Sequence, residues 1–538
     1  MTTSTCALIR SGYRAIASRK AWWGAVCTAA LLSITILGGL AHSAEPQRGG
    51  TLQIAHIANI SSMDPQQVTA GFDLHITWAV FDPVVDIDPK MNLVPGLAVS
   101  WKQTSPTTWE FKLRQGVKFH DGTPWDAQAL KFNIERVQDP ATKAPLRQNF
   151  LVIKSVDVVD QYTAKLTTER PVVTIPQLLA SRAAMQNSPE AVKKHGKDYG
   201  VTGAVGTGPF KFVRWQQGSN VTLERNSNYW RMGTDKKPLP YLDKLVFNIV
   251  EDPTVRITNL KAGSADITYD VAPKDFASLE ADSNFQVFKG PQTAVHMDYL
   301  STSKPPFDNV HARRAMSYAI DRDAVAKLVY KGLAIPATGI ISPALGPFYD
   351  SKRQVIKQDY EKAKEELKLA GMPNGFEFSA YNVPGEIYET QAQAQQAMLA
   401  KVGIKMNIRV ADDPTISAFL ANNAENWQMN SDMTTGRTDL DLLFTAFYYP
   451  GGGYNKGRLM GPGMDEVKTL IESARSESDN AKRVRMYQQI NDILERDAYD
   501  IHLFYPLQTA TASKKVMGFV LYADSATGHA WRDVWLSR

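Results

Sequence analysis

At 538 residues the chain is too long for one hydrophobic core of ordinary size, so two or three domains are expected. Its 43% hydrophobic and 21% charged residues fit an ordinary soluble globular protein. The formal charge of +5 gives no case for nucleic acid or an anionic membrane as partner. Arg10, Arg14, Arg19 and Lys20 supply four of those charges, and residues 45–538 carry only +1.

In chain order the first feature is an export signal. The four basic residues precede an apolar run from Ala21 through Leu40, closed by the small residues Ala41, Ser43 and Ala44. This predicts a signal peptide over 1–44 with cleavage near Ser43 or Ala44. The run is also long enough to span a bilayer, so a retained anchor is the alternative. Both cysteines, Cys6 and Cys27, fall inside that segment, which would leave a mature protein without thiol, disulfide or thiolate metal site.

The next clear pattern is Trp109 to Val137. Trp109, Phe111 and Leu113 alternate with Glu110, Lys112 and Arg114, the period of a half-buried strand. His120-Asp121-Gly122 marks a turn, and Thr123-Pro124 reads as a helix cap with proline at the first helical position. Ala127, Leu130, Ile134 and Val137 then form one apolar helix face. Further on, Asp308, Asp321 and Asp359 are expected to cap successive helices, the last closing at Gly371 before Pro373. Val467, Leu470, Ile471 and Ala474 mark one late helix; Val484, Tyr487, Ile490 and Leu494 mark another. No fixed-period repeat occurs, and short strands and helices alternate throughout, an α/β pattern.

Catalytic signatures are missing. The nearest approach to a nucleophile elbow, Ala262-Gly263-Ser264-Ala265-Asp266, lacks its final glycine. Gly206 and Gly208 are followed by Pro209 and Phe210 where a phosphate loop needs lysine, so they read as a tight path into a strand. The nine histidines form no ligand pair in sequence, and each reads as surface or packing. No cofactor is expected and no metal site.

Several segments, in order, resemble the family 5 extracellular solute-binding proteins of dipeptide, oligopeptide and nickel importers. They are GGTLQIA from Gly49, LVPGLAVSWKQ over Leu93–Gln103, WEFKLRQGVKFHDGTPW from Trp109, and VGTGPFKFVRW over Val205–Trp215. ERNSNYW ending at Trp230, KPPFDNVHARRAMSYAIDRDAV over Lys304–Val325, and the C-terminal MDEVKTLIESARSE and RMYQQINDILERDAYDIHLF complete the set. The resemblance implies an α/β, two-lobed periplasmic-binding-protein fold of the hinge-bending class II type, with an extra domain inserted in the first lobe. Mapped here, lobe I would comprise 45–90, 203–301 and 508–538, the inserted domain 91–202, and lobe II 302–507. It implies the periplasmic binding component of an ABC import system. Expected partners are a peptide or other small-molecule ligand and the permease subunits of the inner membrane, with the binding protein a monomer. A nickel or other metal chelate, or another non-peptide solute, is the alternative ligand. A secreted hydrolase or a periplasmic chaperone is the alternative of another class.

By the same resemblance three regions line the ligand cleft. The first follows Met63-Asp64-Pro65 and reaches Thr69, Gly71 and Phe72. The second is Tyr269, Asp270 and, further on, His296. The third comprises Tyr381, Asn382, Trp427 and the run Thr434, Thr435, Gly436, Arg437, Thr438, Asp439. Each of these residues reads equally well as core or surface. Peptide binders resembling this chain place an amine-holding aspartate where Gly436 stands, so that anchor is absent or moved, with Asp432 or Asp270 as substitutes. Arg437, Asp439 and Asp441 alternate and in extended conformation would face one way. That predicts either a guanidinium gripping a ligand carboxylate or an Arg437–Asp439 pair ordering the loop.

Overall fold

A computed structural model describes residues 45–68, 71–412, 415–416, 418–419, 427–434, 439–455, 457–523 and 531–538. Among these residues twelve strands join in one sheet, ten of them in line. Their order is Lys405–Val410, Glu377–Asn382, Met429–Met433, His296–Leu300, Asp500–Ser513, Ile267–Tyr269, Thr51–His56, Lys244–Ile249, Asn220–Arg225 and Phe210–Gln216. The 14-residue strand Asp500–Ser513 is the link. Its first half runs antiparallel to His296–Leu300, with Phe504 opposite His296. Its second half runs antiparallel to Ile267–Tyr269 and Phe285–Pro291. Phe285–Pro291 in turn continues through residues 292–295 into His296–Leu300, a second crossing beside the first. The sheet is therefore shared by two lobes joined through two crossing segments.

The second lobe buries both faces of its half of the sheet. Leu52, Ile54, Phe247, Ile267 and Val534 share one core in the first lobe. In the second, Leu300, Phe378, Ala380 and Ile501 pack on one side of the sheet, and Met297, Tyr299, Phe444 and Tyr487 on the other. This is why His296–Leu300 is buried at every position rather than alternately. The chain ends in the first lobe: Val516–Met517 pairs with Trp535–Leu536, and the Trp531 indole Nε1 donates to the His75 carbonyl at 2.7 Å.

A separate antiparallel sheet, in the order Ala98–Ser105, Thr108–Leu113, Thr163–Thr168 and Ile153–Asp160, has its own core of Phe111, Trp125, Leu130, Ile134 and Leu166. The predicted strand and helix are both here. The helix is Ala127–Gln138, but its cap is Asp126, which accepts from Gln128 N and Ala129 N. Thr123 is not the cap, because its backbone N–H and its hydroxyl both donate to Asp121, at 3.0 and 2.6 Å, in a turn of their own. Likewise Val310–Ala319 is capped by Asn309, whose side chain accepts from His311 N, and not by Asp308. Asp321 and Asp359 cap their helices as expected. The glycines of VGTGPF run hard against the end of another helix. Gly208 N donates to Val80 O at 2.9 Å, and a Cβ on Gly208 would lie 2.6 Å from the Val80 carbonyl carbon.

Candidate functional site

The strands Thr51–His56 and Ile267–Tyr269 are parallel neighbours, and both end toward the second lobe side of the sheet, where open α/β sheets place their ligands. Their last residues meet: His56 Nδ1 and the Tyr269 hydroxyl share a short hydrogen bond. The helix Gly71–Val80 covers them. His75 stacks on Tyr269 with ring centres 4.0 Å apart and planes 28° off parallel, and Phe72 lies edge-on to His56 at 6.4 Å. Burial keeps both imidazoles neutral, lowering His75 to about 3 and His56 well below its ordinary value. His56 Nε2 has no hydrogen-bond partner among the described residues.

Asp270 follows directly. It holds a left-handed backbone with φ of 52°, a conformation that asparagine and aspartate tolerate better than other residues with a side chain. Its amide donates to Thr509 O at 2.9 Å, and the next amide donates to the Thr509 hydroxyl, so the turn is pinned to the crossing strand. The Asp270 carboxylate makes no hydrogen bond or ion pair with any described residue. The Asp270 side chain is exposed to solvent. Desolvation raises its pKa and Arg256 partly opposes that. Arg256 itself donates to three carbonyls, those of Val250 at 3.0 Å, Glu251 at 2.8 Å and Asp270 at 3.4 Å.

The second lobe supplies an aromatic wall. His296 sits between Phe504 at 4.8 Å and Tyr388 at 5.2 Å, and Tyr330 lies 5.2 Å from Phe504. His296 is 1% exposed, neither of its nitrogens has a partner among the described residues, and burial lowers its pKa to about 3. The acidity of Tyr330 is suppressed first by burial and then by the charge of Asp270. At the rim Lys274 pairs with Glu386 at 3.0 Å.

The remaining expected residues are dispersed. Tyr381 is half-buried beside Phe419, ring centres 5.0 Å apart. Asn382 is fully buried, its Nδ2 donating to Tyr388 O at 3.5 Å. Trp427 is also fully buried, in the second-lobe core. Thr434 is tied to the crossing segment by two 2.8 Å bonds with Val295. Gly71 opens the helix that carries Phe72. Thr69, Gly436 and Arg437 lie outside the described residues. The extended alternation expected for Asp439 and Asp441 does not occur. Asp439 caps the helix Leu440–Phe447 by accepting from Asp441 N, so Asp441 is already helical. Among the described residues, the cation near Asp439 is Arg483 at 3.6 Å, and that of Asp441 is Arg475 at 3.0 Å.

His56, His75, Tyr330 and Tyr388 were not anticipated as part of this site. The spacing of Phe72 and His75, three residues apart on one helix face, was the one available signal. Among the described residues no group of three or more metal-ligating side chains occurs.

A seam lies away from this site. Thr174 donates to Asp441 at 3.2 Å, Val173 N to Arg475 O at 2.9 Å, and Arg170 lies 3.7 Å from Glu472. Beside these contacts is a cavity of about 480 Å³, lined by Leu151, Val152, Arg170, Tyr449, Glu472 and Arg475 among others.

Residues 92–456 match the bacterial extracellular solute-binding proteins, family 5 middle region. The glutathione-binding protein GsiB of Escherichia coli strain K12 is 28% identical over 486 residues, 88% of this chain and 92% of its own length. PBP AgaA from A. tumefaciens R10, solved with agropinic acid, superimposes with a TM-score of 0.81 at 26% identity over 91% of this chain and 99% of that one. The periplasmic binding protein DppA from Helicobacter pylori, solved with the peptide STSA, gives 0.81 at 25% over the same shares. The match over two thirds of the chain, together with the two lobes and their double crossing, makes this protein a member of the family 5 extracellular solute-binding proteins.

Proposed function

We propose that the chain is the periplasmic capture subunit of an ATP-driven importer, that its ligand is a peptide or peptide-like solute, and that it carries out no reaction on it. The observation that carries the reading is the pair of crossing segments that join the two lobes. Two short connections let the lobes move as rigid bodies while the ladder of Asp500–Ser513 stays paired. The basic, apolar and small-residue order of residues 1–44 supports export, and the importer's inner-membrane permease is the partner of a monomer. The four-stranded sheet with its own core supports an inserted domain near 91–202. The names of the relatives support the ligand class, since one binds glutathione and another was solved with a peptide.

Closure requires that ligand bind the closed form better than the open one. A micromolar constant corresponds to about 8 kcal/mol, within reach of a few hydrogen bonds, one charged contact and aromatic enclosure. Native mass spectrometry of the purified protein should detect a carried-over small molecule, and small-angle scattering should show a smaller radius with saturating glutathione or dipeptide. An unchanged radius with no bound species would sink the receptor reading. Turnover of peptide or ester substrates would replace it with a hydrolase.

A further inference from the structure

We propose that the seam between the four-stranded sheet and the second lobe is a latch, a separable contact away from the ligand site that forms as the lobes close and raises the closed fraction. This rests on the receptor reading above and adds to it a place outside the cleft that sets affinity.

The two sides of the seam belong to different lobes. The four-stranded sheet is fastened to the first. The chain reaches it from the helix Gly71–Val80 and leaves it into the strand Phe210–Gln216, and Ile76, Val80 and Phe210 lie in the first-lobe core. Arg136 Nη2 meets Asp64 Oδ2 at 2.6 Å, Gln186 N donates to Asp82 O at 3.1 Å, and His120 Nε2 bonds Gly208 O at 2.9 Å. The other side is the helix Leu440–Phe447, buried at every position. Leu440, Leu443, Phe444 and Phe447, spaced three and four apart, face the second-lobe core. Leu442 points the other way, on the face of Asp441 and Thr445, and is buried across the seam in the core of Phe111, Leu130 and Phe150. The helix Arg147–Phe150 packs on it, and Pro145 O approaches Gly453 so nearly that a Cβ there would lie 3.2 Å away. Covalently the two sides are joined only through the crossing segments, so a rotation there moves one side of the seam against the other.

The contact can part without stranding a charge. Asp441 keeps Arg475 at 3.0 Å, and Glu472 keeps Lys468 at 2.9 Å and the Tyr449 hydroxyl at 2.7 Å, all within the second lobe. Arg170, which faces Glu472 across the seam, is already exposed. Water has to replace the Thr174 bond to Asp441 and the Val173 bond to Arg475 O, and to wet Leu442. Had opening left a buried charge unpaired, the seam would be a permanent joint. The adjoining cavity of about 480 Å³ points the same way, since a permanent interior is close-packed and this junction is not. Such a contact raises the fraction of molecules in the closed form, and ligand affinity scales with that fraction.

The test is pulsed electron paramagnetic resonance on the purified full chain. Spin labels go on Lys154→Cys in the four-stranded sheet and Arg485→Cys in the second lobe, both exposed positions. Cys6→Ser and Cys27→Ser remove the chain's own thiols. After exhaustive dialysis the wild-type seam should give a short distance, alone or with a longer one. Thr174→Val and Leu442→Ala should each lower the ratio of short to long by about tenfold or more. Leu443→Ala weakens the second-lobe core without touching the seam, and it should leave the ratio within twofold of wild type. Thermal melting of all three variants shows that they fold. A long distance alone in wild type, seam variants within twofold of wild type, or a Leu443 variant that shifts the ratio as far as they do would each overturn the inference. These readings need no ligand, so the receptor reading is judged apart. Glutathione or Met-Leu should raise the short population, and calorimetric affinity should fall in the seam variants by the factor by which the ratio falls. A ratio that answers to the seam variants but to no solute, with no small molecule released from native protein, would overturn the receptor and leave the latch standing.

Discussion

Replacing Arg458 by Met should unlock the base of the crossing strand. Arg458 and Asp500 are both fully buried. The guanidinium meets both carboxylate oxygens, Nη2 to Oδ2 at 3.2 Å, and also donates to Leu300 O at 2.9 Å and Tyr454 O at 3.1 Å. Asp500 in turn accepts from Leu300 N at 3.0 Å, so the pair stitches the start of one crossing strand to the end of its neighbour. Breaking such a pair from one side leaves an uncompensated charge and typically costs about 3–5 kcal/mol. Three carbonyls, those of Leu300, Tyr454 and Phe447, also lose a donor, so the upper half of that range is expected here. Replacing both residues, Arg458→Met with Asp500→Leu, should recover most of the loss, because an apolar pair carries no stranded charge. Urea titration followed by circular dichroism, with hydrogen exchange at Leu300 and Ile501, reads both effects. A single variant within about 1 kcal/mol of wild type, or a double variant worse than the single, would refute the reasoning.

Thr174→Val removes the hydroxyl that reaches Asp441 across the seam while keeping the side-chain shape. A hydrogen bond to a charged group contributes about 1.5–3 kcal/mol, so if the seam closes with the ligand site, affinity for glutathione or dipeptide should fall by about tenfold or more. Calorimetry showing unchanged affinity would mean that the seam does not move. Asp298→Asn tests the buried carboxyl beneath the helix Glu386–Ala400, bonded by Gln391, Gln395 and Ser431 and raised by burial to about 7. Its folded value lies above the unfolded one, so its stabilising share is complete below about pH 4 and is lost as pH rises through 7. Relative to the Asn variant, wild type should lose on the order of 4 kcal/mol between pH 4 and 8; parallel stability curves would reject the buried proton. Gly208→Ala should destabilise, because its Cβ would collide with the backbone at Val80. A melting temperature equal to wild type would show that the helix end yields.

Local periodicity carried much of the fold. Phe111, Leu113, Leu130, Ile134 and Val137 face one core as their spacing implied, and the late helices Pro462–Ser476 and Asn480–Arg496 bury Val467, Ile471, Tyr487 and Leu494. Caps were less legible, because adjacent Asp, Asn and Thr residues compete for the same amides; at 121–126 and 308–309 the neighbour won. The helix at Leu440 was missed for a related reason. Alternating charges suggested extension, but Asp439 found a closer amide in Asp441. The heart of the candidate site was hidden for another cause. His56 and Tyr269 are 213 residues apart and meet only through parallel pairing, which leaves no mark on either segment alone.

The placement of Trp531 under the His75 carbonyl sets an order of assembly. His75, which stacks on Tyr269, leans on a residue more than 450 positions further along, and the central strand of both lobes does not begin until Asp500. A chain released from the ribosome or a translocase before Asp500 would possess most side chains of the candidate site and still lack the beam that aligns them. Maturation of the candidate site must therefore wait for the tail, and removing Trp531 with the residues after it should be felt at His75 and the Tyr269 ring stacked on it.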